Sequence, residues 1–175
     1  MENLVSVRYG LLFALITLIY GFGLGGAFGA FEENIMGHLE DSAKQVLSAT
    51  YNGDEAKMKK TIEKSWTYFK RAHLHANGLG ASALALILLV SFLPVGKIIK
   101  SINAICLGAG SFGYSMFWML AGLKAPGMGS TGLAKESMKW LAVPSAGLCI
   151  IGVLMVFGSA IITLFFKGNS STMKG

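Results

Sequence analysis

Charge is what this sequence has least of. Asp, Glu, Lys and Arg make up 14% of its 175 residues, against roughly 25% in a typical soluble domain. Residues 9–31, 76–96, 101–123 and 140–166 carry no Asp, Glu, Lys, Arg or His at all. Proton pumps, ion-coupled transporters and voltage sensors need ionisable groups at depth, so this absence counts against all three. Cysteine is nearly missing too. Cys106 and Cys149 sit in apolar runs with no CxxC spacing, which excludes a zinc ribbon and a disulfide framework, and without CxxCH there is no covalent c-type haem. Three prolines beside 23 glycines fit neither a Pro-rich disordered chain nor a collagen. GxSxG, P-loop and HExxH motifs are absent as well. The pI of about 9.4 comes from lysines that flank apolar runs. No basic stripe is interleaved with aromatics on a soluble element, so nucleic acid is not an expected partner.

What is present is apolar length. Each uncharged stretch has about 20 residues or more, and at 1.5 Å per residue each crosses a hydrocarbon core of roughly 30 Å. The stretches do not alternate apolar and polar residues as barrel strands do. A helix satisfies every backbone amide in lipid, so helices are expected. The expected fold is all-α: residues 1–175 form a single integral membrane domain, a bundle of four transmembrane helices at about 9–31, 76–96, 101–123 and 140–166. The polar excursion 32–75 between helices one and two is expected to be an extramembrane amphipathic helical hairpin. It should turn at Asn52-Gly53-Asp54, with Asp54 as N-cap. Lys97–Lys100 is expected to be a tight turn and Lys124–Lys139 a Gly-rich loop.

Ala27-Phe28-Gly29 offers small residues at a signal-peptide cleavage position, but the apolar run before it is too long, and a retained helix is expected. For orientation, Arg8 precedes helix one while Glu32, Glu33, Glu40 and Asp41 follow it, which favours both termini in the cytoplasm of a bacterial inner membrane. Lysine and arginine counts favour the opposite orientation, with seven in residues 32–75 and three more at Lys124, Lys135 and Lys139.

Gly21, Gly25, Gly29 and Glu33 recur every four residues on one ridge of helix one. Small residues at this spacing allow close helix approach, and imply a homo-oligomer or a larger membrane complex. They also leave clearance for a flat cofactor.

The only histidines are His38, His73 and His75. At 100° per residue, Ile62, Trp66, Phe69 and His73 share one stripe, while His75 falls on the opposite side near Lys64, Tyr68 and Arg71, toward solvent or lipid headgroups. One expectation is a b-type haem with His73 and His38 as axial ligands. Trp66 and Phe69 would pack on the porphyrin, Gly78 and Gly80 would give clearance, and Lys70 and Arg71 would meet the propionates. A competing expectation is a transition-metal site from His73, His38 and Glu33, or from His73 with His75, although HxH on a helix splays its imidazoles. The plainest is a His73 bonded to Asn77 or to a backbone carbonyl, with no cofactor. Ser111, Tyr114, Ser115 and Trp118 on helix three could line a groove for a quinone or bond across helices. The function expected from these residues is a haem- or metal-binding membrane subunit that passes electrons near the outer face. The alternative is a non-catalytic structural or assembly subunit packed through glycine-rich helices.

Overall fold

The computed structural model of the chain describes residues 2–167, and all of its secondary structure there is helical. Met1 and residues 168–175, part of the single domain expected over 1–175, lie outside the described residues. In chain order the elements are α1 (Glu2–Val5), α2 (Arg8–Lys44), α3 (Leu47–Tyr51), α4 (Glu55–Phe92), α5 (Lys97–Lys124), α6 (Thr131–Ser137) and α7 (Lys139–Ile161), followed by a π-helical turn at Ile162–Lys167. Four helices, α2, α4, α5 and α7, are long and apolar enough to cross a membrane.

The boundary expected near residue 75 is not a helix end, whereas the one expected near residue 31 falls at a kink. Residues 55–92 form one uninterrupted helix, and residues 8–44 form a helix kinked at Phe31. At 1.5 Å per residue each is about 55 Å long, roughly 25 Å more than a hydrocarbon core. The reason is that a change from apolar to charged side chains alters which solvent they suit but leaves backbone hydrogen bonding untouched. No proline falls between Glu55 and Phe92 to interrupt it. Only α2 registers the change: Phe31 leaves helical geometry (φ −132°, ψ 23°), two residues after Gly29 and directly before Glu32.

Between α3 and α4 the chain turns through Asn52 and Gly53, both at positive φ (54° and 77°). Asp54 then caps α4, its carboxylate accepting from the Lys57 amide at 2.8 Å. At the opposite end α4 stops at Phe92 because Leu93 precedes Pro94 and is pushed into extended geometry. Lys97–Lys100, expected to be a turn, is instead the first turn of α5. Lys100 is buried, and its ammonium donates to the Ser91 carbonyl at 2.6 Å, one of the last carbonyls of α4. The connection expected to be a loop after Lys124 contains α6, capped by Ser130, whose hydroxyl accepts from the Gly132 and Leu133 amides.

Helix α5 is central and packs against α2, α4 and α7. Of its most apolar 18 residues 56% are buried, against 11% for α7, which is nevertheless the most apolar of the four. That inversion suits lipid: the outer helix must be apolar, while the enclosed one can carry polar side chains that find partners. Ser111 and Ser115 donate to the Leu107 and Ser111 carbonyls one turn back, and Asn103 Nδ2 crosses to the Gly152 carbonyl of α7 at 2.9 Å.

One apolar cluster (Val7, Ile87, Val90, Leu107, Val156) brings the start of α2 and the end of α7 to the same end of the bundle. At the other end Leu39, Ala43, Tyr51, Met58, Ile62 and Phe69 form a separate cluster under the 45–54 tip. The chain after α5 closes that cluster. Tyr51 donates its hydroxyl to the Pro126 carbonyl at 2.7 Å, and Ser65 donates to the Gly122 carbonyl. Burial pushes the Tyr51 phenol pKa up from its ordinary value.

Candidate functional site

Two residues apart on α4, His73 and His75 project about 200° from one another, and each meets a different neighbour. His73 faces α2. A Cβ at Gly25 would sit 2.8 Å from His73 Cε1, and one at Gly21 2.6 Å from Asn77 Oδ1, so these two glycines make the space for both side chains. His73 Nδ1 lies 2.8 Å from the Gly21 carbonyl. A carbonyl can only accept, so in this contact Nδ1 is the donor. Asn77 Nδ2 donates to the His73 backbone carbonyl at 3.2 Å, and Phe28 packs edge-on against the imidazole at 6.0 Å. Asn77 Oδ1 is buried with no partner among the described residues.

His75 faces α5 rather than solvent or headgroups. Its ring stacks on Trp118 (centroids 5.9 Å apart, 28° between planes) and meets Tyr114 edge-on at 5.1 Å. The Arg71 guanidinium lies 4.9 Å above the same Trp118 ring and 5.5 Å from Tyr68, and Lys135 of α6 approaches Tyr68 from 6.0 Å. Contacts of this kind are worth about 0.5–1 kcal/mol each where exposed. Trp118 Nε1 is buried and has no partner among the described residues. The stripe argument gave the direction of His75 on its own helix, but nothing along the chain marks which ring of a helix some 40 residues later would meet it. The spacing of Tyr114 and Trp118, one turn apart, was the only available signal.

The other expected site residues are spread out. Trp66 and Phe69 pack with Phe28 (5.0 and 6.2 Å). Phe28 and Phe69 line a cavity of about 300 Å3 that also includes His38. His73 is not in that lining. His38 is exposed and lies thirteen residues beyond Gly25 on α2, about 20 Å of helix rise, whereas two imidazoles on one metal stand about 4 Å apart. The structure thus does not bring His38 and His73 together. Glu33 is exposed and lines a different groove, with Gly29, Ala30 and Glu32. Gly80 serves the α2–α4 contact, where a Cβ would press on Leu18 and Thr17 at 3.2–3.3 Å, and Gly78 has open space around it. Among the described residues no group of three or more His, Cys, Asp or Glu is placed to hold a metal ion.

Compared with known proteins, the chain matches no family model, no curated protein and no solved structure.

Proposed function

We propose that this chain is a non-catalytic subunit of a membrane assembly, joined to a neighbouring helix through the outer glycine face of α2. The observation that carries this reading is that α2 has two small-residue faces. One, Gly21 and Gly25, is filled by Asn77 and His73 of the same chain. The other, Gly23, Gly26 and Ala30, is exposed, and a Cβ at either glycine would meet nothing within 4 Å. Phe22 and Ile19, both 71% exposed, flank it. In lipid, where apolar burial gives no driving force, such a face gains by close contact with another helix. Residues 32–75 then stand outside the bilayer as a helical hairpin. Arg8 before the first span and the acidic residues after it favour both termini in the cytoplasm of a bacterial inner membrane.

The test is blue-native migration of the tagged chain extracted from its own membrane in mild detergent. Gly26→Leu should release the chain from a larger species, with a fold indistinguishable from wild type. Wild type at the mass of one chain, or Gly26→Leu migrating as wild type, would count against the assembly role. Gly25→Leu is not a clean probe of association, because its side chain would collide with His73 inside the bundle.

A second reading is favoured by the His73 geometry: an imidazole whose Nδ1–H is held by a carbonyl presents Nε2 in the form that ligates haem iron or a transition metal. In that reading the subunit passes electrons at the outer face, and Tyr114 and Trp118 meet a quinone. An optical spectrum before and after dithionite tests it. The reading requires a Soret band that is lost in His73→Ala and kept in His75→Ala.

A further inference from the structure

We infer that the end of the bundle where α2 begins holds a site for an anionic phospholipid, with the phosphate between Arg8 and Lys97 and an acyl chain along the leucines of α2. The inference is independent of the assembly role. Two cavities adjoin there and share Val5 and Arg8. The first, about 490 Å3, is lined by Ser6, Arg8, Tyr9, Lys97, Ile98 and Ser101. The second, about 410 Å3, is lined by Leu4, Val5, Leu11, Leu12 and Leu15, with Arg8 its only charged residue. Two cationic side chains beside an adjoining apolar groove fit a molecule with an anionic head and a hydrocarbon tail. A free phosphate would leave the groove empty.

The electrostatics are one-sided. The ion pairs among the described residues are Lys44–Glu40 and Lys139–Glu136, so neither Arg8 nor Lys97 has a carboxylate partner there. Among the described residues no acidic side chain lines either cavity to hold the ammonium of a zwitterionic head. The Arg8 Nη2 donates to the Tyr9 hydroxyl at 3.0 Å and its guanidinium lies 4.7 Å over the Tyr9 ring. The rest of its donor fork stays available to phosphate oxygens. Helices α2 and α5 also begin here, and neither has a side-chain cap, so their first amides add positive potential. Arg8 directly precedes the first apolar run, the depth at which headgroups lie.

The experiment is native mass spectrometry of the full chain in dodecyl maltoside, titrated with dioleoyl phosphatidylglycerol, dioleoyl phosphatidylcholine or inorganic phosphate. Phosphatidylglycerol should give one adduct that survives activation conditions stripping phosphatidylcholine, and phosphate alone should give none. Arg8→Gln or Lys97→Gln should each weaken that adduct about fivefold, and the pair about 30-fold. Both side chains are exposed, so these variants leave the packed core untouched. Val5→Trp, which fills the junction of the two cavities without altering charge, should also abolish the adduct, and Lys135→Gln at the other end should not. Equal retention of phosphatidylcholine, a phosphate adduct without acyl chains, wild-type affinity in the double variant or in Val5→Trp, or loss on Lys135→Gln would each overturn the assignment.

Discussion

The two ends of this bundle are held together by different means. Near the start of α2 the helices touch backbone to backbone: a Cβ at Gly10 would run into the Ala104 carbonyl and one at Gly108 into the Gly10 carbonyl, while one at Gly152 would lie 2.7 Å from the Leu107 side chain. Near the 45–54 tip the contacts are rings, with Phe28, Trp66 and Phe69 between α2 and α4 and Tyr68 against Trp118 between α4 and α5. On the proposed placement of residues 32–75 outside the bilayer, the difference follows from solvent. Within lipid, surfaces gain by close approach and dispersion, which small residues permit. Beyond it, removing large apolar side chains from water is the stronger drive.

Breaking the ring-packed end should cost most. Phe69→Ala, at a residue 2% exposed, should lower stability by about 3–5 kcal/mol in denaturation monitored by circular dichroism in detergent. Next comes the glycine-packed end: Gly10→Ala meets backbone that cannot swing aside and should cost about 3 kcal/mol, while Gly26→Ala, in open space, should be neutral or stabilising by up to about 1 kcal/mol. Equal effects at Gly10 and Gly26 would remove the distinction between engaged and open faces. Lys100→Met leaves the Ser91 carbonyl without its donor and should cost about 1.5–3 kcal/mol, seen as a lower melting temperature with the helical signal retained. The smallest loss is expected of Tyr51→Phe, which gives up one hydrogen bond to Pro126 and should cost about 1 kcal/mol. Amide exchange should localise the loosening to residues 124–130 and leave the Arg8 end unchanged.

The four apolar helices were legible because a charge-free run of this length has one dominant physical cause. The Asn52-Gly53 turn and the Asp54 cap were legible because left-handed geometry and an orphan amide select particular residues. The expected boundary at residue 31 coincides with the kink in α2, but the continuity of α4 was not legible, since Arg71 reports which solvent a side chain meets and says nothing of whether the helix beneath it stops. Lys100 was misplaced in a turn because the pair of lysines reads as polar punctuation. Pro94 and Gly96 are the actual stop and start signals, and the Ser91 carbonyl that receives Lys100 is visible only in three dimensions. At the site, helical phase assigned His73 to the bundle interior and His75 to the opposite side. It could not show that the opposite side is covered by Trp118, because helical phase fixes a face but not what packs on it.

The one break in α2, at Phe31, has a mechanical consequence. Of the two long rods that carry the 45–54 tip, α4 is continuous and serves as a spar, while α2 is jointed at the level where its charge begins. A force applied at the tip therefore meets unequal stiffness. Bending concentrates at residue 31, the α4 side holds its length, and the tip swings on an arc toward or away from the chain that follows α5. Tyr51 and Pro126 form the latch across that arc, which makes their single hydrogen bond a gauge of tip displacement as well as a contributor to stability.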